Sequence, residues 1–286
     1  MKKIIWLSSY PKSGNTFLRT LISSYFFTDD GTFKQELLKK INEYPRDYFK
    51  FISNNTLEKE ILNWEKILLE INNSSSNFVF LKTHLANCEL NKKFRTINDK
   101  FSKCIIYIYR DPRNVLSSLK DFFNIDISRA KEYMFNKENM IIHKNKVGES
   151  KNFTPILDWE SNYKSYKVNE KKIPTLFVKY ENLTKDTKYE FSRILTFLKK
   201  FINFEINNKK ISKCIESTTF KNLKFLEEKE GFIEKKIMAN IRSKNPFFNK
   251  GIMRNVNQEL DINTINIIND KYYDTIRELD YSLDLK

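Results

Sequence analysis

Ile4-Ile5-Trp6-Leu7-Ser8-Ser9-Tyr10-Pro11-Lys12-Ser13-Gly14-Asn15-Thr16-Phe17-Leu18 decides the fold. Ile4 to Leu7 is an apolar run of the length of a buried parallel strand. A polar turn follows, and between Thr16 and Phe27 the residues Phe17, Leu18, Leu21, Ile22 and Tyr25 recur on one helical face. Strand, turn and helix in immediate succession make a phosphate cradle. Unpaired backbone N–H groups and the positive end of the helix dipole point above the turn, and Gly14 permits close backbone approach, while Lys12, Ser13 and Thr16 add donors. The turn is not a Walker A loop, whose lysine directly follows the second of two glycines; here Lys12 precedes Gly14 by two positions. Standing alone, the motif is also readable as an N-capped helix with a polar turn.

Outward from this unit the pattern repeats. Phe78 to Leu81, Ile105 to Tyr109 and Leu176 to Val178 are further strand-length apolar runs, and Asn114 to Phe123 carries Val115, Leu116, Leu119 and Phe122 on one helical face. Apolar spacing places other helices at Leu57 to Ile71, Pro155 to Val168, Tyr189 to Phe201, Lys210 to Glu216 and Ile262 to Leu279. Such alternation predicts an α/β fold with a central, mostly parallel sheet flanked by helices, and ligands outside the carboxyl ends of the strands. No Gly/Ser- or Pro-rich linker interrupts the chain, so residues 1–286 read as a single domain. Asp29 to Lys50, Asn124 to Asn152 and Glu228 to Arg254 are weakly periodic and polar, the expected loops or lids over a site.

Composition narrows the function. Hydrophobic residues make up 40% of the 286, with five glycines and six prolines, which excludes a disordered or collagen-like chain. Lys plus Arg 51 against Asp plus Glu 36 gives +15, a field that attracts nucleotides and other anions without selecting among them. Cys88, Cys104 and Cys214 fit neither a disulfide framework nor zinc spacing and read as reduced thiols, so no metal site is expected. The opening Met-Lys-Lys-Ile-Ile-Trp-Leu is too short for a signal peptide, and no apolar run has transmembrane length, so a cytoplasmic location is expected.

A second anion site is written at Tyr109-Arg110-Asp111-Pro112-Arg113-Asn114-Val115-Leu116-Ser117-Ser118, again a strand-to-helix turn with Pro112 in the first helical turn. Arg110 stands at a strand end as a permanently charged fork, with Ser118 two helical turns along as a hydroxyl donor. Between the two sites, Phe78-Val79-Phe80-Leu81-Lys82-Thr83-His84 ends a strand in one of only two histidines, and an imidazole there is poised near neutrality to accept a proton. His143, in a polar run, reads as a surface or lid residue.

These motifs, in this order and spacing, resemble the cytosolic-type sulfotransferase family, which carries YPKSG-T after a strand, Lys-Thr-His, and an Arg with a Ser eight residues downstream. The resemblance implies a P-loop-like turn that holds the 5′-phosphosulfate of 3′-phosphoadenosine 5′-phosphosulfate through Lys12, Ser13, Gly14, Asn15 and Thr16, with Arg110 and Ser118 on its 3′-phosphate. His84 becomes the general base, Lys12 neutralises the departing 5′-phosphate, and Lys82 contacts the transferring sulfuryl oxygens. Asn15 stands where the family has Thr, and Phe17 where it has Trp; an amide still donates to phosphate and a phenyl ring still faces adenine. Lys179-Tyr180-Glu181-Asn182-Leu183 and Ser217-Thr218-Thr219-Phe220 are similar to later family motifs and imply Tyr180, Thr218 and Phe220 around the adenine. Phe248-Asn249-Lys250-Gly251 is similar to F-x-R-K-G, with Asn249 in place of arginine, so that Arg242 or Arg254 compensates or the 3′-phosphate is held less tightly. The implied product is adenosine 3′,5′-bisphosphate and the implied partner a small-molecule, carbohydrate or lipid acceptor, with no specific nucleic acid. Two other classes remain open on the sequence: a P-loop nucleotide kinase using magnesium, and a non-catalytic polyanion or nucleic-acid binder motivated by the charge. Trp159 and Tyr163 are read either as acceptor wall or as core.

Overall fold

The computed structural model describes residues 2–49, 56–90, 94–144, 151–233, 246–251 and 255–283. Five strands form the central sheet: β1 (Ile4–Ser8), β2 (Asn42–Glu43), β3 (Val79–Thr83), β6 (Ser102–Tyr109) and β9 (Thr175–Lys179), in spatial order β2-β3-β1-β6-β9 and parallel throughout. The remaining strands form two antiparallel pairs, β4 (Glu89–Leu90) with β5 (Phe94–Arg95) and β7 (Met140–Lys144) with β8 (Lys151–Pro155). The four strands expected from apolar runs are all present. β2 escapes that reading because it is two residues long, inside a polar segment.

Alternation along each strand divides the core into two layers. Ile4 and Trp6 of β1, Leu81 of β3, and Ile105 and Tyr107 of β6 face one side, where they meet α2 (Leu57–Asn72), α3 (Pro112–Phe123) and α5 (Trp159–Val168). Ile5, Leu7, Phe80, Cys104, Ile106 and Ile108 face the other, against α1 (Asn15–Phe27), α7 (Thr187–Lys199) and α8 (Asn208–Ser217). A strand buried on both faces must be apolar at every position, which is why β1 and β6 read as continuous runs.

Helix ends follow local chemistry. Asp111 caps α3 by accepting from the Arg113 N–H at 2.9 Å, with Pro112 in the first turn, and Asp158 starts α5 by accepting from Ser161 N at 2.7 Å. That cap, not Pro155, sets where α5 begins. The expected Ile262 to Leu279 helix is two helices, Ile262–Lys271 and Tyr273–Glu278, interrupted at Tyr272. The segment Asn124 to Asn152 is more ordered than its polarity implies, since it supplies α4 (Ile127–Phe135) and strand β7. Trp159 and Tyr163 are core residues, 1% and 4% exposed.

β1 is the switch point of the sheet: the chain leaves it for β3 on one side and returns to β6 on the other. The crevice at the carboxyl ends of β1, β3, β6 and β9 is where such a sheet binds ligands. Ser9 to Gly14, His84, Arg110 and Tyr180 directly follow those four ends.

Candidate active site

The turn after β1 is held open by backbone geometry. Lys12 and Gly14 have φ of 65° and 98°. Gly14 occupies the N-cap of α1, and no side chain caps that helix, so its first N–H groups face the crevice instead of a serine or aspartate oxygen. A side chain at residue 14 is impossible without rearrangement, because a Cβ there would lie 2.2 Å from Cδ2 of Tyr180. Ser13 is buried, and its Oγ has no hydrogen-bond partner.

From Gly14 a continuous set of contacts runs through residues far apart in sequence. The Tyr180 ring that packs against Gly14 also carries the Arg110 guanidinium, 4.5 Å from the ring centroid. Arg110 donates from Nη1 to the Lys12 carbonyl at 3.3 Å and from Nη2 to the Gly251 carbonyl at 3.2 Å, while its Nε is buried and unpartnered. Gly251, at φ 54°, is packed so closely on Phe220 that a Cβ would approach Cε2 of that ring to 2.6 Å. The Lys12 ammonium lies 3.8 Å from the centroid of Phe122 and 4.8 Å from that of Phe247, an aromatic seat for a cation. Two buried donors without partners, an uncapped helix start and a lysine beside them fit a phosphorylated ligand, because each stands to gain a charge-assisted hydrogen bond from it.

His84 stands next to this turn. Its Nδ1 is 2.8 Å from the main-chain oxygen of Ser9, and a carbonyl oxygen can only accept, so Nδ1 carries the proton and Nε2 is the basic nitrogen. The Ser9 hydroxyl lies 3.2 Å from the same Nδ1. Asn162 of α5 fixes the main chain at this point, donating to the His84 carbonyl at 3.1 Å and to that of Ile156 at 2.8 Å while accepting from the buried Tyr107 hydroxyl.

Other residues expected at the site have different partners. Lys82 is 2% exposed, and its Nζ donates to Glu43 Oε2 at 2.8 Å, so it sits in a buried ion pair. Burial pushes the Glu43 carboxyl up, but Lys82 and then Arg46 outweigh it and hold the group well below the usual carboxylate range. The Asn15 amide serves the turn itself, donating to the Leu7 carbonyl at 2.9 Å and to the Ser9 hydroxyl at 3.2 Å. Thr218 donates to the Cys214 carbonyl at 2.7 Å, at the end of α8. Asn249 donates to Asp121 at 3.3 Å and Lys250 to Glu259 at 2.8 Å, so this segment reaches Arg110 through the Gly251 carbonyl. Thr16, Phe17 and Ser118 are half-buried at the start of α1 and two turns into α3. Arg242 and Arg254 lie outside the described residues.

A family model, the sulfotransferase domain, matches residues 2–280. The chain belongs to the sulfotransferase family. Among relatives of this sulfotransferase domain, amine sulfotransferase of Oryctolagus cuniculus is 24% identical over 227 residues, covering 78% of this chain and 64% of that protein. Flavonol 4′-sulfotransferase of Flaveria chlorifolia is 26% identical over 224 residues, with the same coverage. The chain thus spans just under two thirds of the length of these two relatives. Its fold is similar to that of mouse sulfotransferase SULT7A1 complexed with PAP, at a TM-score of 0.62 and 18% identity over 97% of this chain and 86% of that one. It is likewise similar to retinol dehydratase in complex with androsterone and inactive cofactor PAP, at a TM-score of 0.58 and 16% identity over 99% and 82% of the two chains.

Sequence reasoning missed Glu43, Arg46, Phe122, Phe247 and the carbonyl of Ser9. Phe247 had a signal, since it directly precedes the Phe248 to Gly251 motif; Glu43 had none, being 39 residues from Lys82. Among the described residues, no helix is long and apolar enough to cross a membrane.

Proposed function

We propose that this chain transfers a sulfuryl group from 3′-phosphoadenosine 5′-phosphosulfate to an acceptor hydroxyl or amine, with His84 as general base. One observation carries the reading: Arg110 joins the β1 turn, Tyr180 and Gly251 into one cationic pocket beside an imidazole whose tautomer suits a base. When bound, the donor supplies an activated sulfuryl group on a good leaving phosphate. The chain's own residues then bind, orient and move a proton.

The uncapped N–H groups of α1 and the Ser13 hydroxyl take the 5′-phosphate, and the Lys12 ammonium offsets the charge that builds on it as the bond to sulfur breaks. Arg110 and Ser118 take the 3′-phosphate, and Tyr180, Phe220 and Phe17 flank the base. His84 accepts the acceptor's proton at Nε2 while Nδ1 stays on the Ser9 carbonyl, which holds the ring in place and stabilises the imidazolium. Lys82, fixed by Glu43, acts on the sulfuryl oxygens only if the ion pair exchanges partners. Residues 1–286 act as one domain in this reading. A cytoplasmic setting accords with three free thiols among the described residues.

The test is thermal unfolding with adenosine 3′,5′-bisphosphate, with ADP, and with ATP plus magnesium, at fixed ionic strength. A ligand at 100 times its dissociation constant adds ~2.7 kcal/mol to the folded state, a rise of several degrees for a chain of this size. Selective stabilisation by the bisphosphate supports the reading. A response to ATP with magnesium alone replaces it with a kinase, and indifference to all three with steeply salt-dependent polyanion binding replaces it with a non-catalytic binder.

A further inference from the structure

His143 is half-buried, with its Nε2 enclosed. It lies on β7 in register with Asn152 of β8, and the fully buried Asn152 donates through Nδ2 to the main-chain oxygen of Arg46 at 3.3 Å. The next residue, Phe153, donates its N–H to Glu60 of α2 at 2.8 Å. The hairpin is thereby pinned over the segment after β2. There Arg46 pairs with Glu43 at 2.8 Å, and Glu43 holds Lys82, two residues before His84.

Both histidines are near enough to Glu43 for their charge to act on its carboxyl. Among the described residues, the charged groups that act on His143 are Glu43, Arg46 and Asp47 from the β2 segment and Lys82 from β3, two of each sign. Burial lowers the His143 pKa, so the ring is neutral at neutral pH, with one donor and one acceptor nitrogen. Its Nε2 is buried with no hydrogen-bond partner among the described residues, as are Ser13 Oγ and Arg110 Nε on the nucleotide side. A buried polar atom left unpaired is costly, and it marks where a ligand gains most by supplying the bond.

Resting on the sulfotransferase reading, we propose that His143 is an acceptor-binding residue. Its Nε2 bonds to a second hydroxyl of a polyhydroxylated acceptor whose first hydroxyl gives its proton to His84. The substrate class is a neutral diol or polyol. The described charged groups acting on the ring, two of each sign, favour neither an anion nor a cation, and a monohydroxylated apolar acceptor leaves the buried nitrogen unpaired.

Because the chain has two histidines, one variant assigns both ring signals by NMR. The full-length protein is saturated with adenosine 3′,5′-bisphosphate and titrated with cyclohexanol or with cis-1,2-cyclohexanediol, which differ by one hydroxyl. The diol should move both imidazole resonances and cyclohexanol only that of His84. In turnover with the sulfated donor, His143→Gln and the ring-preserving His143→Phe should lower kcat/KM for the diol by about tenfold or more while leaving that for cyclohexanol and the stabilisation by bisphosphate unchanged. The proposal is overturned if the diol moves His84 alone, if neither alcohol moves either ring, or if both variants lower the two alcohols equally. Loss of bisphosphate stabilisation in the unsubstituted protein instead refutes the underlying reading, a separate result.

Discussion

Replacing Arg110 with methionine isolates what the guanidinium does. The methionine chain keeps apolar contact with the Tyr180 ring, now 4.5 Å from the guanidinium carbon, but removes the charge and every donor. Two of those donors face the carbonyls of Lys12 and Gly251 at 3.3 and 3.2 Å, bonds long enough to be worth about 0.5 kcal/mol each, the low end of the usual range. The buried Nε and the fork's remaining N–H positions are what a 3′-phosphate would engage, and a hydrogen bond to a charged group contributes ~1.5–3 kcal/mol. The substitution should therefore weaken adenosine 3′,5′-bisphosphate by about tenfold to about a hundredfold. Calorimetric titration of both proteins with the bisphosphate and with adenosine 5′-monophosphate separates binding from scaffolding: the monophosphate should change by no more than about fivefold, the share of the two carbonyl bonds. Equal losses for both ligands would mean that Arg110 only clamps the loops, and no loss for either would place the 3′-phosphate elsewhere.

Three further outcomes follow from the geometry. His84→Gln should lower turnover by about 10²–10⁴-fold, the usual contribution of a general base, with bisphosphate affinity unchanged; retained turnover in a single-turnover assay would put the base at another residue. Gly14→Ala forces a left-handed φ of 98° on an L-residue and drives a methyl into Tyr180, costs of ~1–2 and ~1–3 kcal/mol, so both the unfolding midpoint and nucleotide affinity should fall. A variant with wild-type values of both would refute the close packing. Burial lifts the Glu60 carboxyl from its ordinary 4.5 to about 8, against hydrogen bonds from Phe153 N and Trp64 Nε1. Between those values the folded state binds more protons than the unfolded one, so stability falls as pH rises from about 4.5 to about 8 and levels off above. Urea denaturation across that range should show a steeper decline for the natural chain than for Glu60→Gln, and parallel curves would remove Glu60 as the cause.

Much of this fold was legible because its strands are buried on both faces. Ile4 to Leu7 and Ile105 to Tyr109 have no polar alternative to a central strand, and the turn after each opens a helix as the apolar spacing says. β2 was not legible, since Asn42 and Glu43 are polar and pair with β3 only through the backbone, in register with Leu81 and Lys82. The β7–β8 hairpin was hidden for a related reason: Asn152 is buried and His143 half-buried by partners brought in from other elements, a tertiary effect with no local periodicity. At the site, the positions of Lys12, Gly14, His84, Arg110 and Tyr180 at strand ends were readable. The commitments of their neighbours were not. Whether Lys82 faces a ligand or Glu43, and whether Asn15 reaches outward or back to Leu7, depends on contacts across the sheet that sequence spacing does not encode.

The fork of Arg110 reaches carbonyls 98 and 141 residues away, so the pocket exists only when the β1 turn, β6 and the Gly251 segment are docked together. Opening any one of them removes part of what would hold the ligand. Partial opening of the late segment, ordinarily cheaper than global unfolding, then costs more by the share of the nucleotide's binding energy it gives up. A bound nucleotide would thus act as a tie between distant segments, slowing hydrogen exchange and proteolytic nicking at residues 246–251 as well as at the first turn of α1.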